Sequence, residues 1–293
     1  MSKPKVIVTI PALNEEKTIG GLISRIHKTL KGKYNYEIQV VDDGSTDRTA
    51  EISRKEGAFV VSHPKNYGLA KTFNTEMENC ISKKADIIVH IDADEQYLPE
   101  EIPRLISEVE KGSELVLGSR FLGKIESMPL INRFGNLAFS KVLSSMTKTN
   151  ITDAQTGFRA FTRNVAEIKI HSGYTYTHEQ LIRSERKKFK ISEVPITAKK
   201  TRKSRLMKSP LDYAIKAWIT LIRLYRDYEP LKFFGMIGIG FVSIGFLTGL
   251  FLVYTFINTG IVGHIPLTIL TGVLILVGIQ TILFGFLADM IKK

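Results

Sequence analysis

Residues 87–96 read Ile87-Ile88-Val89-His90-Ile91-Asp92-Ala93-Asp94-Glu95-Gln96. A run rich in β-branched residues stops at two carboxylates one residue apart, as a buried strand does when it ends at a functional turn. Working outward, the same pattern recurs. Val6–Ile10 is a β-branched run that stops at Pro11, and a helical pattern follows from Asn14 to Leu30. Glu37–Val41 predicts a second strand ending in Asp42-Asp43-Gly44-Ser45, followed by a helix over Asp47–Glu56 and a strand at Phe59–Ser62. Leu69–Ser82 and Pro99–Lys111 carry helical spacing, Asp86–Ile91 is the fourth strand and Glu114–Gly118 a further one. Strands alternating with helices of this length imply an α/β fold, a doubly wound and mostly parallel sheet covered on both faces. Ligands of such sheets bind beyond the carboxyl ends of the strands, where Asn14-Glu15, Asp42-Asp43 and Asp92/Asp94 are expected to converge.

Beyond residue 120 the pattern is less regular. It predicts helices near 130–147 and 175–188 and a short strand at Ile191–Ile196. Lys199–Lys208 holds six basic residues in ten, Lys199, Lys200, Arg202, Lys203, Arg205 and Lys208, and reads as a basic loop. Pro210–Arg226 mixes aromatic and basic residues at helical spacing, as juxtamembrane amphipathic helices do. From Phe233 to Met290 the only charged side chain is Asp289. Phe233–Ile257 and Ile265–Ala288 are each long enough to span a hydrocarbon core of about 30 Å. The expected domains are thus a catalytic unit over 1–200, a basic loop and juxtamembrane helix over 201–230, and a two-helix transmembrane hairpin over 231–293. Gly245 and Gly249 form a small-xxx-small pair, which serves either the packing of the hairpin itself or a homo-oligomer.

The 293 residues carry a net charge of +12, which suits nucleic acid, an acidic membrane surface or a phosphorylated substrate; the apolar tail favours the last two. A nucleic-acid partner would leave the hairpin without a purpose. A single cysteine, Cys80, precludes an intrachain disulfide and suits a reducing compartment. The amino terminus reads as a first strand and lacks the apolar run of a signal peptide. The connector Asn258–His264 has no Lys or Arg, whereas Arg223, Arg226, Lys232, Lys292 and Lys293 flank the spans. The positive-inside rule therefore expects a multi-pass protein of the cell membrane with both termini and the catalytic unit in the cytosol.

Paired carboxylates on a strand tip call for a hard cation with oxygen ligands, and Mg²⁺ or Mn²⁺ commonly bridges carboxylate and diphosphate. Asp92, Asp94 and the carbonyl of Gln96 are the candidate ligands; the same turn would also suit a cap for the helix opening at Pro99. Asp47 reads as a helix cap and Gly44 as the turn after the second strand. His63, His90, His171 and His178 lack metal-ligand spacing, and Cys80 reads as a buried helical residue.

Taken in order, Ile10-Pro11-Ala12-Leu13-Asn14-Glu15, Val41-Asp42-Asp43-Gly44-Ser45-Thr46-Asp47, Asn66-Tyr67-Gly68-Leu69-Ala70, Asp92-Ala93-Asp94-Glu95-Gln96 and Gly118-Ser119-Arg120 resemble the family 2 glycosyltransferases of the GT-A fold. Within that family the likeness is to the dolichyl-phosphate mannose synthase and polyisoprenyl-phosphate glycosyltransferase group, over about residues 1–230. The resemblance implies a nucleotide-sugar donor held by Pro11, Asn14, Glu15, Asp42 and Asp43, with Arg205 of the basic loop nearby. It implies a metal on Asp92, Asp94 and Gln96, with Arg120, Arg133 and Arg202 acting with Asp94 in catalysis. Asp153-Ala154-Gln155-Thr156-Gly157-Phe158-Arg159 matches a segment beside the acceptor site. Glu179 matches a recurrent acidic position or is a surface carboxylate of its helix, and Tyr174 and Tyr176 line the acceptor groove or merely pack.

The implied reaction moves a hexose from a GDP-mannose or UDP-glucose type donor to dolichyl or polyprenyl phosphate, with inversion. A phosphate monoester is already anionic at pH 7, its second pKa being about 6, so it needs alignment rather than a strong base. Forked hydrogen bonds from the three arginines would align it. Two alternatives are a membrane glycosyltransferase acting on a sugar hydroxyl or a polysaccharide, and a non-catalytic nucleotide-sugar-binding membrane protein. The first lacks the expected Q-x-x-R-W segment; the intact carboxylate set weighs against the second.

Overall fold

A computed structural model describes residues 3–126, 130–147, 149–170, 176–199, 219, 222–223, 225–261 and 264–291. The chain forms two compact units, Met1–Lys208 and Ser209–Lys293.

The first unit is built on one seven-stranded sheet in the order β3-β2-β1-β4-β6-β5-β7. Strands β1 (Lys5–Ala12), β2 (Asn35–Asp42), β3 (Phe59–Ser62) and β4 (Ile87–His90) are parallel, as are β5 (Leu115–Ile125) and β7 (Ile191–Ala198). Only β6 (Arg159–Thr162) opposes its neighbours, pairing antiparallel with both β4 and β5. The chain winds outward from β1 through β2 to β3, then returns to the other side of β1 as β4. This reversal opens a crevice at the carboxyl ends of β1 and β4. Helices α1 (Ile19–Leu30) and α4 (Ile102–Glu110) bury apolar faces on one side of the sheet against Val6, Val8, Ile10, Val89 and Ile91. On the other side lie α3 (Leu69–Ser82) and α7 (Tyr176–Arg186). Helices α2 (Thr49–Lys55), α5 (Leu130–Thr147) and the single turn α6 (Arg163–Ala166) complete the unit.

Three expectations need correction. β1 runs through Pro11 rather than stopping there. Odd-numbered residues of β1 bond toward β4, as Lys5 and Thr9 do, and the β4 pairing ends at Thr9, so the N–H that proline lacks has no ladder partner to lose. Helix α1 begins at Ile19, not at Asn14, because Asn14 sits in the left-handed region at φ 55°, which asparagine tolerates better than most residues. β5 continues to Ile125, past a bulge after Ser119. β6 was not expected at all.

In the second unit, α8 (Pro230–Thr259) and α9 (Ile265–Ile291) have mean hydropathies of 2.2 and 2.3 and are long and apolar enough to cross a membrane. Apart from Pro230 at the start of α8, their buried residues recur every seven positions: Gly238 and Gly245 on α8, Thr271, Gly278 and Gly285 on α9. A seven-residue period suits left-handed packing of two helices. A Cβ on Gly278 would stand 2.6 Å from Val242 Cγ2, and one on Gly245 2.7 Å from Ile275 Cγ1. Gly249 faces Thr271, whose hydroxyl donates to Thr248 at 2.9 Å. The Gly245/Gly249 pair therefore serves the hairpin's own packing. Gly278→Leu should destabilise the hairpin by on the order of 1–3 kcal/mol through overpacking. Gly272→Leu, whose Cβ would meet nothing within 4 Å, should be near neutral. Thermal unfolding in detergent distinguishes them; equal midpoints would contradict this packing. An apolar groove of ≈ 490 Å³ in this unit is lined by Leu231, Lys232, Met236, Ile239, Ile282 and Phe286, with Tyr225. Of the expected juxtamembrane helix, only residues 219, 222–223 and 225–226 fall within the described residues.

Candidate active site

The turns after β1 and β2 are laced together. Asn14 donates its backbone N–H to Ser45 Oγ at 2.8 Å and accepts from the Thr46 N–H on its side-chain oxygen at 2.9 Å. Glu15, nearly buried, donates its N–H to Thr49 Oγ1, while its carbonyl takes the first N–H groups of the α1 turn. Asp42 accepts from the Ser45 N–H, and Asp47 caps the start of α2 through the Thr49 N–H while also taking the Glu16 N–H. Gly44 has φ +77°, and a Cβ there would meet the Lys65 backbone at 2.5 Å, so the close approach of the β3–α3 loop requires glycine.

That loop grips Asp43. One carboxylate oxygen accepts from Tyr67 N–H at 3.0 Å and lies 2.7 Å from His63 Nδ1; the other accepts from Gly68 N–H at 2.8 Å. His63 is held in turn by Thr75 Oγ1. Burial raises the Asp43 pKa, but the bonds from His63, Tyr67 and Gly68 outweigh it and hold the group below its ordinary 3.8. A depressed carboxylate contributes stability above its unfolded pKa and loses it as pH falls through the lower folded value. Asp43→Asn should therefore be less stable than the parent at neutral pH and lose less stability below about pH 4. Urea midpoints from pH 3 to 7 check this, and parallel curves would refute it.

At the tip of β4, Asp92 and Asp94 are partly buried. Gln96 N–H donates to Asp94 Oδ1 at 3.0 Å. Asp92 has no hydrogen-bond donor among the described residues. Burial pushes its pKa up; His90 pulls it down, Glu76 raises it, and Arg120 and Arg159 lower it. A partly buried carboxylate without a donor beside a second carboxylate is a fitting place for a divalent cation. Among the described residues there is no set of three or more His, Cys, Asp or Glu side chains that would cage one. Two carboxylates with the remaining positions left to substrate oxygens and water is the usual manner of Mg²⁺ binding, so the residues present fit.

Arg120 differs from expectation. Its fork, read as a phosphate grip, closes on Asp153: Nε to Oδ2 at 2.7 Å and Nη2 to Oδ1 at 2.8 Å, with the Arg120 N–H also donating to Asp153. Both side chains are buried, and a buried guanidinium needs such a partner. Nη1 is left without an acceptor among the described residues. Arg133 is exposed on α5. Arg202 and Arg205 lie outside the described residues, as do His171 and Tyr174. Glu179 is not a surface carboxylate: it is 2 % exposed and accepts from Arg183 at 2.7 Å. Tyr176 is buried between Phe73 and His90. Cys80 is buried as expected.

The basic run starts at the acidic turn. Ala198 bridges to Tyr97, and Lys199 N–H donates to the Gln96 carbonyl at 2.9 Å. The end of β7 and the residue after it thus pair with Gln96 and Tyr97, next to the acidic turn.

Several contributors escaped the sequence reading. Arg159 is buried and donates to the carbonyls of Thr156, Ala154 and Thr177 and to Gln180 Oε1, fastening the 153–157 loop to α7. His63 anchors Asp43. His90, Glu76, Thr9 and Gln39 form a buried polar cluster behind Asp92.

Residues 7–168 match the Glycosyl transferase family 2 profile. The dolichol-phosphate mannosyltransferase of Pyrococcus furiosus is 31% identical over 277 residues, 88% of this chain and 74% of that protein. A dolichyl-phosphate hexose transferase of Haloferax volcanii is 32% identical over 191 residues, covering 64% of this chain and 80% of its own length. Among solved structures, glucosyl-3-phosphoglycerate synthase from Mycobacterium tuberculosis, in complex with Mn²⁺, UDP and phosphoglyceric acid, superposes with a TM-score of 0.61 at 23% identity, over 76% of this chain and 78% of that one. With carboxylates at the tips of β2 and β4 beside the reversal in strand order, and with the family profile spanning more than half of the sequence, the chain belongs to glycosyltransferase family 2 and has the GT-A fold.

Proposed function

We propose that the protein is an inverting, divalent-metal-dependent glycosyltransferase. It moves a hexose from a nucleoside-diphosphate sugar of the GDP-mannose or UDP-glucose type to dolichyl or polyprenyl phosphate at the cytosolic face of the cell membrane. The observation that carries this reading is the hydrogen bond from Lys199 N–H to the Gln96 carbonyl, which ties the residue after β7 to the turn that bears Asp92 and Asp94. The names of the relatives, and the two long apolar helices, favour a lipid phosphate as the acceptor.

In this reading the Asn14–Asp47 lacework and Asp43 hold the nucleoside. Asp92 and Asp94, with Gln96, hold Mg²⁺ or Mn²⁺, which when bound offsets the charge on the departing diphosphate. Nη1 of Arg120 is the atom available to a phosphate oxygen, its orientation set by Asp153. Arg133 and Arg202 add positive charge for the acceptor phosphate, which attacks the anomeric carbon from the side opposite the leaving group, and Arg205 acts on the nucleotide donor.

Purified protein in detergent, incubated with dolichyl phosphate, Mg²⁺ or Mn²⁺ and a panel of radiolabelled nucleotide sugars, tests the proposal. Label should enter the organic phase with one donor and stay aqueous when EDTA replaces the metal. Label that remains aqueous with every donor would sink the assignment of the acceptor.

A further inference from the structure

His90 is the last residue of β4 and stands two residues before Asp92. Register aligns it with Thr9 of β1, which aligns with Gln39 of β2; on its other side it aligns with Arg159 of β6. Four polar side chains thus form one row across the sheet, and all are at most 1 % exposed. Glu76 of α3 covers the row and is itself fully buried. Gln39 Nε2 donates to Thr9 Oγ1 at 3.1 Å and to the Glu76 carbonyl at 3.2 Å, and Thr9 Oγ1 donates to Glu76 Oε1 at 2.9 Å. The other Glu76 oxygen faces His90 Nε2 at 3.3 Å. So many desolvated polar groups in a sheet interior would weaken the fold unless each is placed by another.

The far end of the row reaches the acidic turn. His90 Nδ1 lies 2.8 Å from the Gly157 carbonyl, which only accepts, so Nδ1 is the donor. Gly157 in turn is packed directly on Asp92: a Cβ there would overlap the carboxylate, standing 2.9 Å from Cγ. The Gly157 backbone is therefore the wall that limits where the Asp92 carboxylate can sit, and His90 holds that wall.

We propose that His90 is a positioning residue for Asp92: through its hydrogen bond to the Gly157 carbonyl it sets the orientation of that carboxylate toward a divalent cation. The inference rests on the reading of Asp92 as a cation ligand. Groups hydrogen-bonded directly to metal ligands are worth about 10–100-fold in metal affinity, and the lower end of that range is the scale expected of one acting through Gly157.

Mn²⁺ binding to the full-length protein in detergent, followed by loss of the free-ion EPR signal, tests it. His90→Leu removes the donor and should weaken Mn²⁺ binding about 10-fold or more. His90→Asn retains a side-chain N–H where Nδ1 stands and should recover most of the parent affinity, although both variants lose thermal stability. Equal Mn²⁺ affinity in His90→Leu and the parent, or equal losses in the two variants, would overturn the inference while leaving the transferase reading standing. A parent protein that binds no Mn²⁺ would overturn both.

Discussion

Asp94→Ala should abolish sugar transfer while leaving the protein folded. Asp94 stands on the turn after β4, partly exposed, where its carboxylate receives the Gln96 N–H rather than supporting the core. Removing it should therefore disturb the sheet little. Its proposed contribution is to hold the cation that offsets charge on the departing diphosphate. A metal supplies several kcal/mol of such stabilisation, and losing about 4 kcal/mol slows the reaction about a thousandfold. Label transfer measured beside far-UV circular dichroism and thermal unfolding checks both halves. Activity within about tenfold of the parent would remove Asp94 from the metal site.

Asp153→Ala should act on stability first. Asp153 is fully buried and takes three hydrogen bonds from Arg120, two from its fork and one from its backbone. Truncation leaves a guanidinium desolvated and unpaired, which typically costs about 3–5 kcal/mol. Asp153→Ala combined with Arg120→Met should regain much of that loss, because no uncompensated charge remains. Transfer should stay low in the double variant, since Arg120 Nη1 is gone. Denaturant unfolding of the two single variants and the double gives the coupling energy. Additive losses would mean that the pair is not the stabilising unit the geometry indicates.

The β/α alternation was legible because strands buried on both faces read as unbroken apolar runs, and the helices between them keep their period. Leu69–Ser82 and Phe59–Ser62 appear with the bounds expected of them. β6 was not legible: four residues that open with a buried arginine carry no strand signal, and their strand is defined by long-range antiparallel pairing with both β4 and β5. The acidic strand tips were visible as local motifs. Their supports were not, because those partners are distant in sequence. Asp153 reaches Arg120 across 33 residues, His63 reaches Asp43 across 20, and His90 reaches Gly157 across 67. The Gln39–Thr9–His90–Arg159 row becomes visible only once the strand register is known. Asp153 as the partner of the Arg120 fork was not legible for the same reason: a fork points to a planar anion, and the sequence alone does not distinguish a substrate phosphate from the protein's own carboxylate. Glu179 shows the converse, since a charged residue on a polar helix reads as solvated until packing buries it.

The central claim is that a divalent cation on the β4 tip joins the donor diphosphate to the protein. Anomalous diffraction from crystals containing Mn²⁺ and a nucleoside diphosphate tests it most directly. A peak within coordination distance of Asp92 and Asp94, in contact with diphosphate oxygens, is the predicted result. A nucleotide whose diphosphate lies away from that turn, or a manganese peak bound elsewhere, would contradict it.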